Sequence, residues 1–334
     1  MLLSIIIVSY NTEKLTKRSL ISVFHDLQRS AALLGQTEIL VIDNASTDSS
    51  VAMLRRLKKQ SPVPFKLIGN KDNPGFAGAN NTAIQRSTGK YVLLLNPDTY
   101  VQAGCLQKLV YTLERLQPVE SSAYSSQQED PYDRVGILAA TLLNTDGTIQ
   151  DQGGATPSLL SVINHYWMLD DIPILGKLLP TTQESGGRAQ PAVQYEVSQP
   201  QQLIAKGWVG GTAMLIRRAV FSEIGFLDEH IFMYGEDVEF CLRARAHHWD
   251  VVIHPTARVT HIQSASAGTS AALVGEAKGY SYIWAKHMPS WQQPILTAIL
   301  RIGALLRMVL FTLLGAPRRQ IEPYEHIWHH AGHW

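Results

Sequence analysis

Charge is scarce in this sequence, and what there is balances: 29 Lys and Arg against 28 Asp and Glu, with charged residues making up 17% of the 334. Without a basic surplus there is no footprint for nucleic acid, which needs a positive face or stripe. Cysteine is nearly missing. Cys105 and Cys241 are the whole complement and both fall in segments of helical pattern, which excludes a disulfide framework and suits a reducing, cytoplasmic compartment. No secretory signal stands ahead of the first apolar strand, and no internal repeat is evident. The first strand also lacks a glycine-rich turn after it, running instead into "SYNTEK", which disfavours a nucleotide-dependent oxidoreductase. With 45% hydrophobic residues the chain can still bury the core of one large domain or two modest ones.

What is present is alternation. "LLSIIIVSYN" is a continuous run of mostly β-branched residues, the pattern of a strand buried on both faces in a parallel sheet. A helix follows, with Leu15, Leu20, Val23, Phe24 and Leu27 near helical spacing, and "TEILVIDNAS" then repeats the strand-to-turn scheme. Helix "SVAMLRRLKKQ", short strand "PFKLIGN", loop and helix "NPGFAGANNTAIQRSTG" and strand "YVLLLNPDTYV" continue it. The expected fold is an α/β open sheet, in which ligands collect at the carboxyl ends of the strands. "VGILAATLLNTDGTIQ" reads as a strand pair turned at Asp146-Gly147, and "LLSVINHYWMLDDIPILGKLLP" as an apolar, partly helical insert. The polar segments 118–134 and 181–194 read as surface loops.

Polar residues at strand ends carry the chemistry, and each has a plainer reading. Asp43 in "VIDNAS" serves equally as a turn former or helix cap. Gly75 and Gly78 in "NPGFAGANN" allow close approach of a ligand, or simply make a tight turn. Asn96 and Asp98, one residue apart after a buried strand, can lean together toward a hard cation; a turn around Pro97 is the alternative. Glu236 and Asp237 open a helical pattern, where a carboxylate either caps the helix or is held ionised as a general base. His261, ending "ARVTH", taken alone reads as a core or edge histidine.

Taken in order, "IIIVSYN", "VIDNAS", "NPGFAGANN", "LLLNPDT", "GGTAMLIRR", "IGFLDEHIFMYGEDVEFCLRA" and "HPTARVTH" closely resemble glycosyltransferase family 2, in its rhamnosyltransferase-like, inverting branch. The resemblance covers roughly residues 3 to 265. It implies a GT-A type sheet, mostly parallel and flanked by helices, and a nucleotide-diphosphate-sugar donor. Ser9, Tyr10, Asn11 and Asp43 are then expected to line the nucleotide pocket, and Asn73, Gly75, Phe76, Asn80 and Asn96 the donor site. Asp98 matches the metal-binding aspartate of an Asp-x-Asp motif whose first position is here Asn96, with Mg²⁺ or Mn²⁺ as cofactor; His261 matches a histidine that reaches the metal in some relatives. Asp237 matches the catalytic base, with Glu236 beside it, and Trp208, Gly210 and Gly211 edge the acceptor site.

The implied division is a transferase domain over 1–270, with a nucleotide-sugar half to about 117 and an acceptor half from about 135, followed by a helical region over 271–334. In that region "PILTAILRIGALLRMVLFTLLGAPRR" is the one long apolar run, interrupted by Arg301 and Arg307 and closed by Arg318 and Arg319. About twenty apolar residues can span a bilayer, but an arginine at mid-membrane costs roughly 2.5–3.5 kcal/mol. The run suits a helix lying in the interface, both arginines reaching headgroups, better than a buried or dimer-forming helix, and either better than a full span. The histidine-rich end "EHIWHHAGHW" reads as a frayed tail.

The expected activity is transfer of a sugar, L-rhamnose from dTDP-L-rhamnose, to a saccharide or lipid-linked acceptor in surface polysaccharide synthesis, on the cytoplasmic side of the membrane. A UDP-hexose donor and a non-catalytic sugar-nucleotide-binding or scaffold protein are the alternatives; the joint presence of Asp98, Asp237 and His261 weighs against the second.

Overall fold

The computed structural model describes residues 1–116, 134–169, 172, 203–262 and 269–334. The segments read as loops, apart from Arg134, and most of the insert beyond 169 lie outside the described residues. Four strands, β1 (Leu3–Ser9), β2 (Thr37–Asp43), β3 (Phe65–Gly69) and β4 (Tyr91–Leu95), pair in parallel in the order β3-β2-β1-β4. Between them run α1 (Glu13–Gln28), the short α2 (Ala31–Leu34), α3 (Ser50–Lys58) and α4 (Gly75–Arg86). The continuous apolar strands are explained by helices on both faces. Ile5, Ile7, Ile39 and Val41 pack with Leu20 and Val23 of α1 and with Met53 and Leu54 of α3. Their neighbours Ile6, Leu40 and Ile42 point the other way, onto Ala79, Ala83 and Ile84 of α4.

Beyond β4 come β5 (Thr99–Val101), α5 (Cys105–Arg115), β6 (Val135–Leu143), β7 (Ile149–Gln150), α6 (Leu159–Tyr166) and β8 (Ile204–Lys206). β9 (Ala213–Arg217), α7 (Arg218–Ile224), α8 (Glu236–Ala246) and β10 (Asp250–His261) complete the sheet region. The sheet continues β4-β9-β6-β10-β5, with β9 antiparallel to both its neighbours, β10 parallel to β6, and β5 antiparallel to β10. The open α/β sheet is therefore parallel through β4 and mixed beyond it. "AMLIR" is buried at every position, like the parallel strands, so its apolar pattern carries no signal of direction. The hairpin read at Asp146-Gly147 joins β6 to β7, with Gly147 at φ 86°.

Three helices close the chain: α9 (Thr269–His287), α10 (Gln292–Leu313) and α11 (Arg318–His330). α10 buries Leu296, Ile299, Leu300 and Ala304 in the core cluster that also holds α6 and α8. Arg307 does not reach outward as the sequence suggested. Its guanidinium donates to the carbonyls of His165 (2.9 Å) and Tyr166 at the end of α6, and lies over the rings of Tyr166 and Tyr324. Helix-end carbonyls lack intrahelical donors, and an arginine satisfies them. Arg301 likewise lies along the inner side, against Gly332. The tail is no frayed end, since Tyr324, Ile327 and Ala331 of the last segment are buried against the rest. What α10 leaves exposed is uncharged: Ile295, Ile302, Leu306, Val309 and Leu313, the last 80% exposed.

Glu38 ties the amino ends of this sheet together. It accepts from Ser4 Oγ (2.8 Å), Thr88 N (2.6 Å), Thr88 Oγ1 (2.9 Å) and Lys66 Nζ (2.9 Å). Burial alone raises its pKa, but these donors outweigh burial and bring it down to about 2. A depressed carboxylate stabilises the fold above its unfolded pKa and loses that contribution as pH falls through the folded one. Denaturant titrations of wild type and Glu38→Gln are therefore expected to differ by a gap on the order of 2–3 kcal/mol at neutral pH, closing between about pH 4.5 and 2. A gap that stays constant with pH would show that Glu38 acts by packing.

Candidate active site

In the parallel block the chain winds outward from β1 to β3, then returns to β4 on the other side of β1. Ligands in open α/β sheets bind at such a reversal, beyond the carboxyl ends of the strands. A cavity of about 720 Å³ lies there, walled by Tyr10 and Thr12 after β1 and by Asn96, Pro97 and Asp98 after β4.

One edge is a ledge of amides. Asn44 Nδ2 donates to Asn73 Oδ1 (3.0 Å) and to the Gly75 carbonyl (3.2 Å), while Asn70 Nδ2 donates to Asn44 Oδ1 (2.8 Å). Asn73 Oδ1 also accepts from Gly75 N (3.0 Å). Gly75 sits at φ 80°, and a Cβ on it would stand 2.2 Å from the carbonyl oxygen of Phe232. That oxygen accepts from Phe76 N (2.9 Å), so the donor-side loop is laced to the segment that leads into α8. Of the residues read as donor-binding, Tyr10, Asn73, Gly75, Phe76 and Asn96 line the cavity. Ser9, Asn11, Asp43 and Asn80 stand outside that lining. Ser9 is wholly buried and hydrogen-bonded to Thr12 (3.2 Å) and Thr16 (3.1 Å). Asn11, at φ 53°, accepts from Thr47 N (2.8 Å) and Asp48 N (3.3 Å), pinning the end of β1 to the loop after β2. Asn80 donates back to the Phe76 carbonyl (2.9 Å). Asp43 Oδ2 accepts from Ser46 N (3.0 Å), and its Oδ1 is buried without a hydrogen-bond partner.

The floor is set by strand pairing. β10 pairs with β5 so that His261 faces Thr99, and Ile262 N donates to the Asp98 carbonyl (2.9 Å). His261 Nε2 thereby comes to 3.4 Å from Asp98 Oδ1. Adjacent ligands of an octahedral cation with bonds near 2.1 Å lie about 3 Å apart, so this pair fits one coordination sphere. Among the described residues no group of three or more His, Cys, Asp or Glu side chains assembles. A cation held here would complete its shell with waters or phosphate oxygens, which is Mg²⁺-like behaviour.

The opposite wall is the start of α8. Tyr234 at φ 71° and Gly235 at φ 112° turn the chain sharply into Glu236 and Asp237. Asp237 Oδ2 accepts from Gly211 N (3.0 Å) and Oδ1 from Val238 N (2.8 Å). The N-cap position is Gly235, which makes no side-chain cap; Asp237, two residues on, is held both by Gly211 N of another segment and by Val238 N of its own helix. Burial raises its pKa, opposed by those two N–H groups. Burial and the neighbouring Asp237 charge push Glu236 up to about 8, and its Oε2 is buried with no hydrogen-bond partner. Gly210 and Gly211 lie against Asp237, with the Phe76 ring packed on Gly211, and Trp208 lines the same wall. The cavity thus brings the Asp98–His261 pair and the Asp237 carboxylate into one space.

Several lining residues escaped the sequence reading. Asn44 follows Asp43 directly. Gln150 and Gln152 share a face past the hairpin turn, and Tyr234, Glu276 and Tyr280 come from α9 and the turn before α8. Asn44 offered a signal in its place after β2, and Gln150 and Gln152 in the hairpin alternation, but neither signal shows a partner; Glu276 and Tyr280 depend on how α9 packs.

A parallel block continued into a mixed sheet, with helices on both faces, is an architecture of GT-A type. The chain matches the model of Glycosyl transferase family 2 over residues 4–170 and that of Glycosyltransferase like family 2 over 194–276. It is 26% identical to the N-acetylglucosaminyl-diphospho-decaprenol L-rhamnosyltransferase of Mycobacterium tuberculosis, over 97% of this chain and 98% of that one. In fold it is similar to GalNAc-T7 solved with UDP, GalNAc and Mn²⁺ (TM-score 0.55, 16% identity, covering 90% of this chain and 54% of that one). It is also similar to a Pyrobaculum calidifontis mannosyltransferase in complex with GDP-Man and Mn²⁺ (TM-score 0.51, 14% identity, covering 98% and 83%). The chain belongs to glycosyltransferase family 2.

Gly75→Ala is expected to lower the melting temperature by several degrees and to weaken nucleotide-sugar binding, because both φ and the Phe232 carbonyl oppose a Cβ. Gly104→Ala, at φ 77° with open space around it, isolates the conformational part, about 1 kcal/mol. Equal losses in the two variants, read by thermal denaturation, would remove the Phe232 contact from the account.

Proposed function

We propose that the protein is an inverting, metal-assisted rhamnosyltransferase that uses dTDP-L-rhamnose to extend a lipid-linked saccharide at the inner face of the cell membrane. The observation that carries the reaction class is the meeting, in one cavity, of the Asp98–His261 pair with the Glu236–Asp237 turn across from the amide ledge. The likeness to the mycobacterial L-rhamnosyltransferase along nearly the whole chain supports the sugar and the lipid-linked acceptor.

Displacement at an anomeric carbon needs the two substrates held in line, a base for the acceptor hydroxyl and relief of charge on the leaving diphosphate. The ledge of Asn44, Asn73, Gly75 and Phe76 would hold the donor. Asp98 and His261 would hold a divalent cation, Mg²⁺ or Mn²⁺, which supplies positive charge for the diphosphate. Asp237 would take the hydroxyl proton, its carboxylate aimed by the N–H groups of Gly211 and Val238. Burial, and then the neighbouring Asp237 charge, raise the pKa of Glu236, which disfavours a second negative charge on the turn. Product analysis by NMR should show the opposite anomer to that of the donor; retention would overturn the mechanism, and turnover with UDP-hexoses alone would overturn the donor.

Asp237→Asn keeps the shape of the side chain but cannot accept a proton. Transfer is expected to fall at least about a hundredfold, with donor binding retained and only a modest drop in melting temperature, since the amide oxygen can still accept from one of the two N–H groups. A near wild-type rate would move the base to Glu236.

The outward face of α10, apolar and uncharged, with Arg318 and Arg319 following it, suits burial in a headgroup layer. Its inner face belongs to the core, so the test is substitution rather than deletion. Leu306→Gln combined with Val309→Gln and Leu313→Gln is expected to release the protein from anionic vesicles while leaving transfer to a short-chain, water-soluble acceptor intact. Vesicle binding that survives all three changes would sink this reading.

A further inference from the structure

The β6–β7 hairpin does more than turn the chain: it carries four side chains in a file that ends on His261. Thr148 Oγ1 donates to Asp146 Oδ1 (2.6 Å), and Thr148 N donates to the same oxygen (2.9 Å). Those two bonds lower the Asp146 pKa, so the group is ionised and can only accept. The Thr148 hydroxyl has one proton and has directed it to Asp146, so at its next contact it must accept. Asn144 accordingly presents Nδ2 to Thr148 Oγ1 (2.9 Å), which leaves Asn144 Oδ1 for Gln150. Gln150 meets that oxygen with Nε2 (3.0 Å) and has Oε1 left for His261 Nδ1 (2.6 Å). An amide oxygen accepts only, so Nδ1 carries the proton. The polarity of each link is forced by the one before it, starting from a carboxylate.

We propose that Asp146, Thr148, Asn144 and Gln150 form a tautomer lock, positioning residues that hold the proton of His261 on Nδ1 and present Nε2 as a lone pair beside Asp98. The inference rests on the reading of Asp98 and His261 as a cation seat and extends it to residues that touch neither cation nor substrate. The lock opposes a local pull. With Nδ1 unattended, the carboxylate 3.4 Å from Nε2 would draw the ring proton to itself and close the nitrogen to any cation. Histidine ligands are generally oriented by an acceptor on the other ring nitrogen, and loss of such a partner costs typically 10–100-fold in metal affinity. Gln150 is 8% exposed, in keeping with a fixed partner rather than a surface amide.

The test reads the proton itself, in the full-length protein without metal. Nitrogen-15 NMR of His261 at pH 8 is expected to show a neutral ring protonated at Nδ1 in wild type and at Nε2 in Gln150→Leu. Gln150→Glu, which still offers an acceptor, should keep the wild-type pattern and controls for misfolding of the hairpin. Mn²⁺ added alone should broaden the His261 ring signals, at a concentration about tenfold or more higher in Gln150→Leu than in wild type. An Nε2-protonated or doubly protonated ring in the wild-type protein overturns the lock. Identical tautomers in wild type and Gln150→Leu overturn it as well. If His261→Ala leaves Mn²⁺ affinity unchanged, the cation seat itself fails, a result separate from the tautomer measurement and fatal to the purpose assigned to the lock.

Discussion

β4 is hydrogen-bonded along both edges, parallel to β1 and antiparallel to β9, and the cavity depends on that double pairing. The parallel edge opens the crevice after Ser9 and Leu95. The antiparallel edge brings the chain back so that Thr212, just before β9, accepts from Asn96 N (2.9 Å). Gly210 and Gly211 are thereby fixed at the end of β4, within reach of Asp237, whose Oδ2 takes the Gly211 N–H (3.0 Å). One strand of five residues thus sets how far Asp237 stands from the residues that follow β1.

The same logic governs the second half of the sheet. A strand with a single neighbour could tilt, but β10 pairs with β6 along one edge, across an irregularity between His254 and Arg258, and with β8 and then β5 along the other. His261 is its last residue, so its ring position follows from pairings made along the strand's length. The C-terminal helices then press on the other wall. Gly279 of α9 lies so close to the turn before α8 that a Cβ there would stand 2.2 Å from the Tyr234 carbonyl oxygen. The positive φ of Tyr234 and Gly235 is therefore retained under contact rather than left to a free loop.

The sequence made the strand ends legible, because an apolar run that stops in Asn-Pro-Asp or in Asp-Asn announces both its burial and its exit. Asp98 is such a residue, and it lines the cavity. Ser9, Asn11 and Asn80 look the same in sequence yet hydrogen-bond back into the protein. Spacing cannot tell a side chain that faces a ligand from one that braces the chain behind it. Arg307 failed to read correctly for a related reason, since its partners are carbonyls at the end of α6, over a hundred residues away. Gln150 was hidden for the same cause: its meaning depends on His261, brought beside it only when β10 pairs with β6.

Phe76 N donates to the Phe232 carbonyl, and Phe232 precedes the turn that carries Glu236 and Asp237. The Phe76 ring also rests on Gly211. The residues proposed for donor, acceptor and base therefore share a small set of contacts. A nucleotide sugar that immobilises one of them lowers the entropy left to lose when the second substrate arrives. On the proposed roles, the two binding events would be coupled through restraint, and by reciprocity each substrate would tighten the site for the other.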